Sequence, residues 1–138
     1  MLTEHLGSPA NLPHYDAWLK STATRFYEIE YAWKKGEHAK RGKFNPDFFI
    51  KAGDLILILE IKDDSETREP SEENRKKNQY ALAHVARLNE HLEADGSPLR
   101  YQFNFLTPSS YVTFFTYLRQ GNIGSFRSEL DLKLMDDA

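Results

Sequence analysis

Two short clusters, Asn45-Pro46-Asp47 and Glu60-Ile61-Lys62, bracket an almost wholly apolar stretch and carry the residue types with the most chemistry in this chain. The intervening Phe48-Phe49-Ile50-Lys51-Ala52-Gly53-Asp54-Leu55-Ile56-Leu57-Ile58-Leu59 reads as two buried strands. They hinge at Gly53-Asp54, a dipeptide suited to a two-residue hairpin turn. In that register Asp47 lies across from Glu60 and Asn45 across from Lys62. Strand alternation then places Asp47, Glu60 and Lys62 on one face. Directly opposed side chains have Cβ atoms roughly 4.5–5.5 Å apart. At an effective dielectric of about 20, two carboxylates about 5 Å apart repel by roughly 3 kcal/mol. Such a pair needs a shared proton, a basic neighbour or a bound cation. Oxygen ligands on a rigid hairpin suit a hard divalent ion, Mg²⁺ or Mn²⁺. A lysine beside that ion can orient or deprotonate a water, which is the chemistry of phosphodiester hydrolysis.

Stepping outward, the elements that must hold these residues show in the pattern of the chain. Pro13 to about Lys20 reads as a short helix capped near Asn11. Phe26 to Trp33 alternates as a strand, with Tyr27, Ile29, Tyr31 and Trp33 on one face. The segment 34–42 reads as a long hairpin loop leading to a strand from about Lys43. Leu55–Lys62 completes an antiparallel meander of three strands. Residues 63–73 read as a charged loop, with a helix start at Ser71. Ala81, Val85, Leu88 and Leu92 then recur on one face of a helix running to about Glu93, with Lys76, Gln79 and Ala83 on an adjoining stripe. Arg100–Thr107 alternates as a fourth strand, and Pro108 opens a helix ended by Gly121. A long helix between the third and fourth strands permits a crossover, so the fold class expected is α/β with a mixed four-stranded sheet flanked by helices.

Composition narrows the classes. The 138 residues make one domain, 1–138, with 1–12 and 128–138 expected at its periphery. Absence of cysteine excludes disulfides, thiolate nucleophiles and zinc–cysteine sites, and fits a cytoplasmic setting. No signal-peptide pattern opens the chain, and no apolar run is long enough for a membrane span. There is no Gly-rich phosphate loop and no Gly-x-Ser-x-Gly elbow. The five histidines have no ligand spacing. The net charge of −3 is unlike an autonomous DNA-binding protein, but its distribution is uneven. Residues 34–43 hold five basic residues (Lys34, Lys35, Lys40, Arg41 and Lys43) against one acid, whereas residues 63–73 hold six acids against one arginine. The basic segment can grip backbone phosphates, and Lys76 and Gln79 are further candidates for phosphate contact.

With Pro-Asp on one strand and Glu-x-Lys on the next, the chain resembles the PD-(D/E)xK nuclease superfamily over roughly residues 13 to 120. It is most similar to the C-terminal endonuclease domain of type III restriction enzymes and DEAD/DEAH-box helicase-like proteins, through Phe44-Asn45-Pro46-Asp47-Phe48, Leu59-Glu60-Ile61-Lys62-Asp63-Asp64, Pro70-Ser71-Glu72-Glu73-Asn74-Arg75 and Tyr101-Gln102-Phe103-Asn104-Phe105-Leu106. The resemblance implies a restriction-endonuclease-like fold. It makes Asp47 and Glu60 metal ligands with the Ile61 carbonyl, and Lys62 the residue that activates water. Many members add an acid from the helix before the first strand. Asp16 is the candidate here with Glu4 less well placed, and Glu28 or Glu30 could substitute. The Gln-x-x-x-Tyr motif of some relatives is absent, since Gln79 and Tyr80 are adjacent. A DNA substrate is implied, with any ATP-dependent helicase or translocase in another domain or chain and a homodimer or partnered motor for double-strand cleavage. The alternative is a nuclease-like DNA-binding or protein-adaptor module with little or no catalysis.

Overall fold

Gly53 sets the geometry of the centre of the molecule. A computed structural model describes residues 1–21, 29–35 and 38–136; the side chains of residues 29–35, 38–41, 43 and 44 lie outside that description. Strands β4 (Phe48–Ala52) and β5 (Leu55–Ile61) pair antiparallel from Ala52↔Leu55 out to Phe48↔Leu59. The chain reverses at Gly53 with φ +62°, a left-handed conformation that glycine adopts at no steric cost. No bulge interrupts the ladder between Phe48↔Leu59 and the turn, so the expected register holds over those residues.

The main sheet has four strands in the order β1-β4-β5-β6, where β1 is Ala17–Lys20 and β6 is Arg100–Leu106. β1, β4 and β5 are antiparallel neighbours, and β6 joins β5 in parallel. The parallel step needs a long crossover, supplied by helix α3 (Glu72–Ala94). Ser71 caps that helix, its side chain accepting from the Asn74 N–H at 3.1 Å, and a short helix, α2 (Ser65–Arg68), occupies part of the expected charged loop. Helices therefore flank a mixed four-stranded sheet. Among the described residues no helix is long and apolar enough to cross a membrane.

The first half of the chain departs from expectation in three places. Residues Pro13–Lys20 do not continue as a helix. A single 3₁₀ turn, Leu12–His14, gives way to β1, because the 17–20 backbone finds a ladder partner in β4 that local propensity cannot foresee. The strand expected over 26–33 is described only from Ile29. Its described part belongs to β2 (Ile29–Lys35), which pairs only with β3 (His38–Phe44) in a separate two-stranded sheet. The described residues of the basic segment 34–42 consequently belong to two paired strands, with Lys35 opposite His38, while residues 36 and 37 lie outside the description.

Alternation sorts the core into two layers. Phe48 and Ile50 of β4 and Leu57 and Leu59 of β5 point to one side. They pack there on Leu2 and Leu6 of α1 (Leu2–Leu6) and on Phe114, Phe115 and Leu118 of α4 (Tyr111–Arg119). Ile58, Phe103 and Phe105 point to the other side, against Ala81 and Val85 of α3 and Leu130 and Leu134 of α5 (Glu129–Asp136). The end segments expected at the periphery thus each place two leucines in the core.

Candidate metal centre

The regular ladder ends at Phe48↔Leu59. The Asp47 N–H donates to the same Leu59 carbonyl at 2.9 Å, one residue out of step with that register, so a local bulge rather than continued pairing brings Asp47 to the open end of the hairpin beside Glu60. The Ile61 N–H donates to Asp47 Oδ2 at 2.7 Å and fixes that carboxyl. Asp47 and Glu60 share a side-chain hydrogen bond. Asn45 turns away, its Oδ1 accepting from the Ser21 hydroxyl at 2.9 Å. Lys62 leaves β5 with its N–H bonded to the Leu106 carbonyl at 2.8 Å, and its Nζ lies 4.0 Å from Glu60 Oε2. The structure therefore brings Asp47, Glu60 and Lys62 together.

A fourth charged residue joins them. Lys77 of α3 places its Nζ 3.7 Å from the same Glu60 oxygen, and both residues are buried. Lys77 belongs to a stripe facing the sheet, Asn74, Lys77, Asn78, Ala81 and Val85. That stripe is polar at its N-terminal end, where Lys77 reaches Glu60, and apolar where Ala81 and Val85 join the core. Counting back from Ala81 by three and four along the helix reaches Lys77 and Asn78, so the spacing could have found it. Lys76 and Gln79 instead sit on the outer side of α3, where their side chains contact each other at 3.4 Å. They do not reach the acids through any described contact.

Burial dominates the electrostatics. It pushes the Glu60 carboxyl from its ordinary 4.5 up to about 8, and the hydrogen bond and charge of Asp47 push the same way. Lys62 and Lys77 pull it back without cancelling the rise. The Lys77 ammonium is pushed down, by burial first and then by Lys62. Both partners of this ion pair thus lean toward their neutral forms. Glu60 keeps a proton at neutral pH unless a cation replaces it.

Comparison with family models, curated proteins and solved structures finds no match.

The donor set fits a hard divalent ion, since two facing carboxylates are the usual protein contribution to a site whose other ligands are waters and substrate phosphate. Among the described residues no group of three or more histidine, cysteine or acidic side chains surrounds it. Asp16 is not at this site. Its Oδ2 accepts from the Gly53 N–H at 2.8 Å and faces Lys51 at 3.6 Å, which ties it to the turn at the opposite end of the hairpin. Glu4 is exposed and faces the chain's amino group at 3.7 Å. Glu28 lies outside the described residues, as do the side chains of Glu30, Lys34, Lys35, Lys40, Arg41 and Lys43. The backbone places Lys34 and Lys35 on β2 and Lys40, Arg41 and Lys43 on β3.

A cleft of about 420 Å³ opens beside Asp47, lined among others by Leu2, Lys20, Phe48, Ile61 and Tyr111. Burial, then the charges of Asp47 and Asp64, hold the Tyr111 phenol above its ordinary range. Asp64 accepts from the Ser109 N–H at 3.1 Å, joining the segment after Lys62 to the turn before α4. Hydrogen bonds from Ser109 and Thr107 hold its carboxyl below the usual range. Neither Lys20 nor Tyr111 carries a sequence signal for the site, because both reach it through sheet pairing and helix packing.

Proposed function

We propose that the chain is a divalent-metal-dependent endonuclease that hydrolyses DNA phosphodiester bonds on a restriction-endonuclease-like fold, serving as the nuclease module of a restriction or helicase-type system. The observation that carries this reading is the side-chain contact of Asp47 with Glu60 at one end of a rigid hairpin, with Lys62 beside them. Asp47 and Glu60, with the Ile61 carbonyl, would hold Mg²⁺ or Mn²⁺. When bound, such an ion supplies Lewis acidity and positive charge for hydrolysis at phosphorus. Ile61 keeps Asp47 aimed through its N–H, and the β5–β6 ladder fixes the base of Lys62. Lys62 then orients the attacking water by hydrogen bonding. The basic strands β2 and β3 would give sequence-independent affinity for backbone phosphates. Motor activity belongs to another domain or chain on this reading, double-strand cleavage to a dimer or a partnered motor, and the setting is cytoplasmic.

One observation favours a second reading, a nuclease-like DNA-binding or adaptor module. Lys62 and Lys77 already offset Asp47 and Glu60 without an added ion. Incubation of the chain with supercoiled plasmid and Mn²⁺, beside Asp47→Ala and Lys62→Ala, decides between them. The endonuclease nicks plasmid and loses that activity in both variants. Nicking indifferent to both substitutions, or DNA retained without nicking by the wild type, discards it in favour of the module.

A further inference from the structure

Tyr111 combines a buried ring with an unengaged hydroxyl. At 8% exposure it belongs to the core layer of α1 and α4, and its ring meets His5 edge-on with centroids 5.8 Å apart. Burial and the charges of Asp47 and Asp64 act on its phenol, and among the described residues no hydrogen bond does. Fully buried side-chain polar atoms among those residues all have partners. The phenol oxygen is therefore open to the cleft that Tyr111 lines beside Asp47. A buried tyrosine usually bonds its hydroxyl, and a phenylalanine would fill the core equally well. Lys20 of β1 lines the same cleft. It is exposed, lies opposite Phe48 and has no ion pair among the described residues. Its neighbour Ser21 ties the end of β1 to the site, donating its N–H to the Asp47 carbonyl at 2.8 Å. A lone surface lysine is ordinary. Its convergence with a rigid, unpartnered donor, on a cleft beside a candidate metal ligand, is not.

We infer that this cleft is the subsite for the nucleotide flanking the scissile phosphodiester, with the Tyr111 hydroxyl donating to a phosphate oxygen and the Lys20 ammonium pairing with the same backbone. This rests on the endonuclease reading and deepens it by placing the path of the substrate strand. The volume of about 420 Å³ falls at the lower end of the roughly 300–1,000 Å³ of pockets that take small organic ligands. Leu2, Phe48 and Ile61 give the cleft an apolar wall, which suits a sugar face. Asp47 lines it too and repels a phosphate until a divalent ion neutralises the acid, so occupancy depends on the ion. A phosphodiester held on that ion continues into the cleft, where both donors lie. Both contacts go to the backbone, so they set position and register and read no sequence. Neither group exchanges a proton with the substrate.

The test compares the wild type with Tyr111→Phe and Lys20→Met in the full chain by four measurements. These are thermal melting, Mn²⁺ affinity by calorimetry without DNA, binding of a fluorescein-labelled duplex by anisotropy across a salt series, and nicking of supercoiled plasmid. Both variants should melt as the wild type does and keep its Mn²⁺ affinity, because neither group is a ligand. Duplex affinity in Ca²⁺ should fall about tenfold in each, the worth of one hydrogen bond to a charged group. Salt dependence separates the two. Lys20→Met should lower the slope of log affinity against log salt by about 0.9, one phosphate's share, whereas Tyr111→Phe should leave the slope unchanged because the phenol is neutral. With EDTA in place of Ca²⁺ the three proteins should bind alike. Nicking at subsaturating protein should fall in step with affinity. Wild-type affinity in Tyr111→Phe, or wild-type affinity and slope in Lys20→Met, overturns the inference and leaves the endonuclease reading in place if the wild type nicks. A loss that persists in EDTA puts the contact elsewhere and also overturns it. Should Tyr111→Phe fail to fold, Lys20→Met at its exposed position decides alone. A wild type that binds duplex but nicks nothing overturns the endonuclease reading instead, and the variants' affinities then decide the subsite. A wild type that does neither overturns both.

Discussion

Glu60 and Asp131 are carboxylates buried to the same 5% exposure, and their surroundings could hardly differ more. Asp131, in the first turn of α5, is met by neutral donors at short range. Asn104 Nδ2 and the Ser128 N–H reach its Oδ2 at 2.8 and 3.0 Å, and the Phe105 N–H reaches its Oδ1 at 2.9 Å. Its own N–H returns a bond to the Ser128 hydroxyl at 3.0 Å, closing a reciprocal cap. Burial still raises its carboxyl above the usual range, and those bonds pull it back. The arrangement pins α5 to β6. Glu60 instead shares a hydrogen bond with a second acid, Asp47, and faces two lysine ammonium groups at 3.7 and 4.0 Å. Fixed dipoles at hydrogen-bonding distance make a support. Ammonium groups at longer range, around two acids in contact, are the kind of charge compensation that a bound divalent ion would replace.

That contrast can be broken at either carboxylate. Asp131→Ala should have the largest effect on stability, a loss of about 3–5 kcal/mol in urea unfolding, because it strands buried donors of Asn104, Phe105 and Ser128 together. Mn²⁺ affinity of the folded variant should be unchanged, and a loss there would mean that the two sites are coupled.

Substitution at Glu60 should act in the opposite sense. The folded-state value of about 8 lies above the ordinary 4.5, so the Glu60 contribution to stability is complete below about pH 4.5 and is lost as pH rises through about 8. Glu60→Gln should flatten that part of the stability profile and gain on the order of 2–4 kcal/mol over the wild type at pH 9 without metal. The same variant should lose Mn²⁺ binding by calorimetry. A stability profile as steep as that of the wild type would show that Glu60 is not the acid being titrated. In the wild type, proton and ion compete for one carboxyl. Mn²⁺ affinity should therefore climb about tenfold per pH unit up to about pH 8 and level off above it.

Asp16→Ala sharpens the comparison at its weak end. Its ion pair with Lys51 and its bond to the Gly53 N–H are exposed, so the loss should be about 0.5–1 kcal/mol by urea unfolding, with plasmid nicking unaffected. A large fall in nicking would bring Asp16 back as a functional acid.

Which of these features could be read from the chain follows from how local their causes are. The hairpin was legible because Phe48–Leu59 is apolar on both faces and turns at a glycine, so the register from Ala52↔Leu55 to Phe48↔Leu59 follows from counting, whereas Asp47 falls one residue out of step and meets Glu60 through its side chain. The crossover helix and the fourth strand were legible for the same reason, through helical spacing at Ala81 and Val85 and alternation over Arg100–Thr107. β1 was not, since Ala17–Lys20 becomes a strand only by pairing with β4. Lys77 was missed because a stripe counted on apolar residues stops at Ala81, though the same face continues through Asn78, Lys77 and Asn74. Asp131 lies in a stretch with no clear period. The Ser128-x-x-Asp131 spacing was its one local signal, and its bonds to β6 depend on tertiary contact.

The two-residue reversal at Gly53 also makes the hairpin a counting device. From Ala52↔Leu55 out to Phe48↔Leu59 every position has one partner and one facing direction, with no slack loop to absorb an error. One extra residue within β5 before Glu60 would rotate Glu60 toward the α4 layer and put Leu59 in its place, extinguishing the centre while both acids stay in the sequence. Length between turn and acid is thus as much a part of this site as the acid itself.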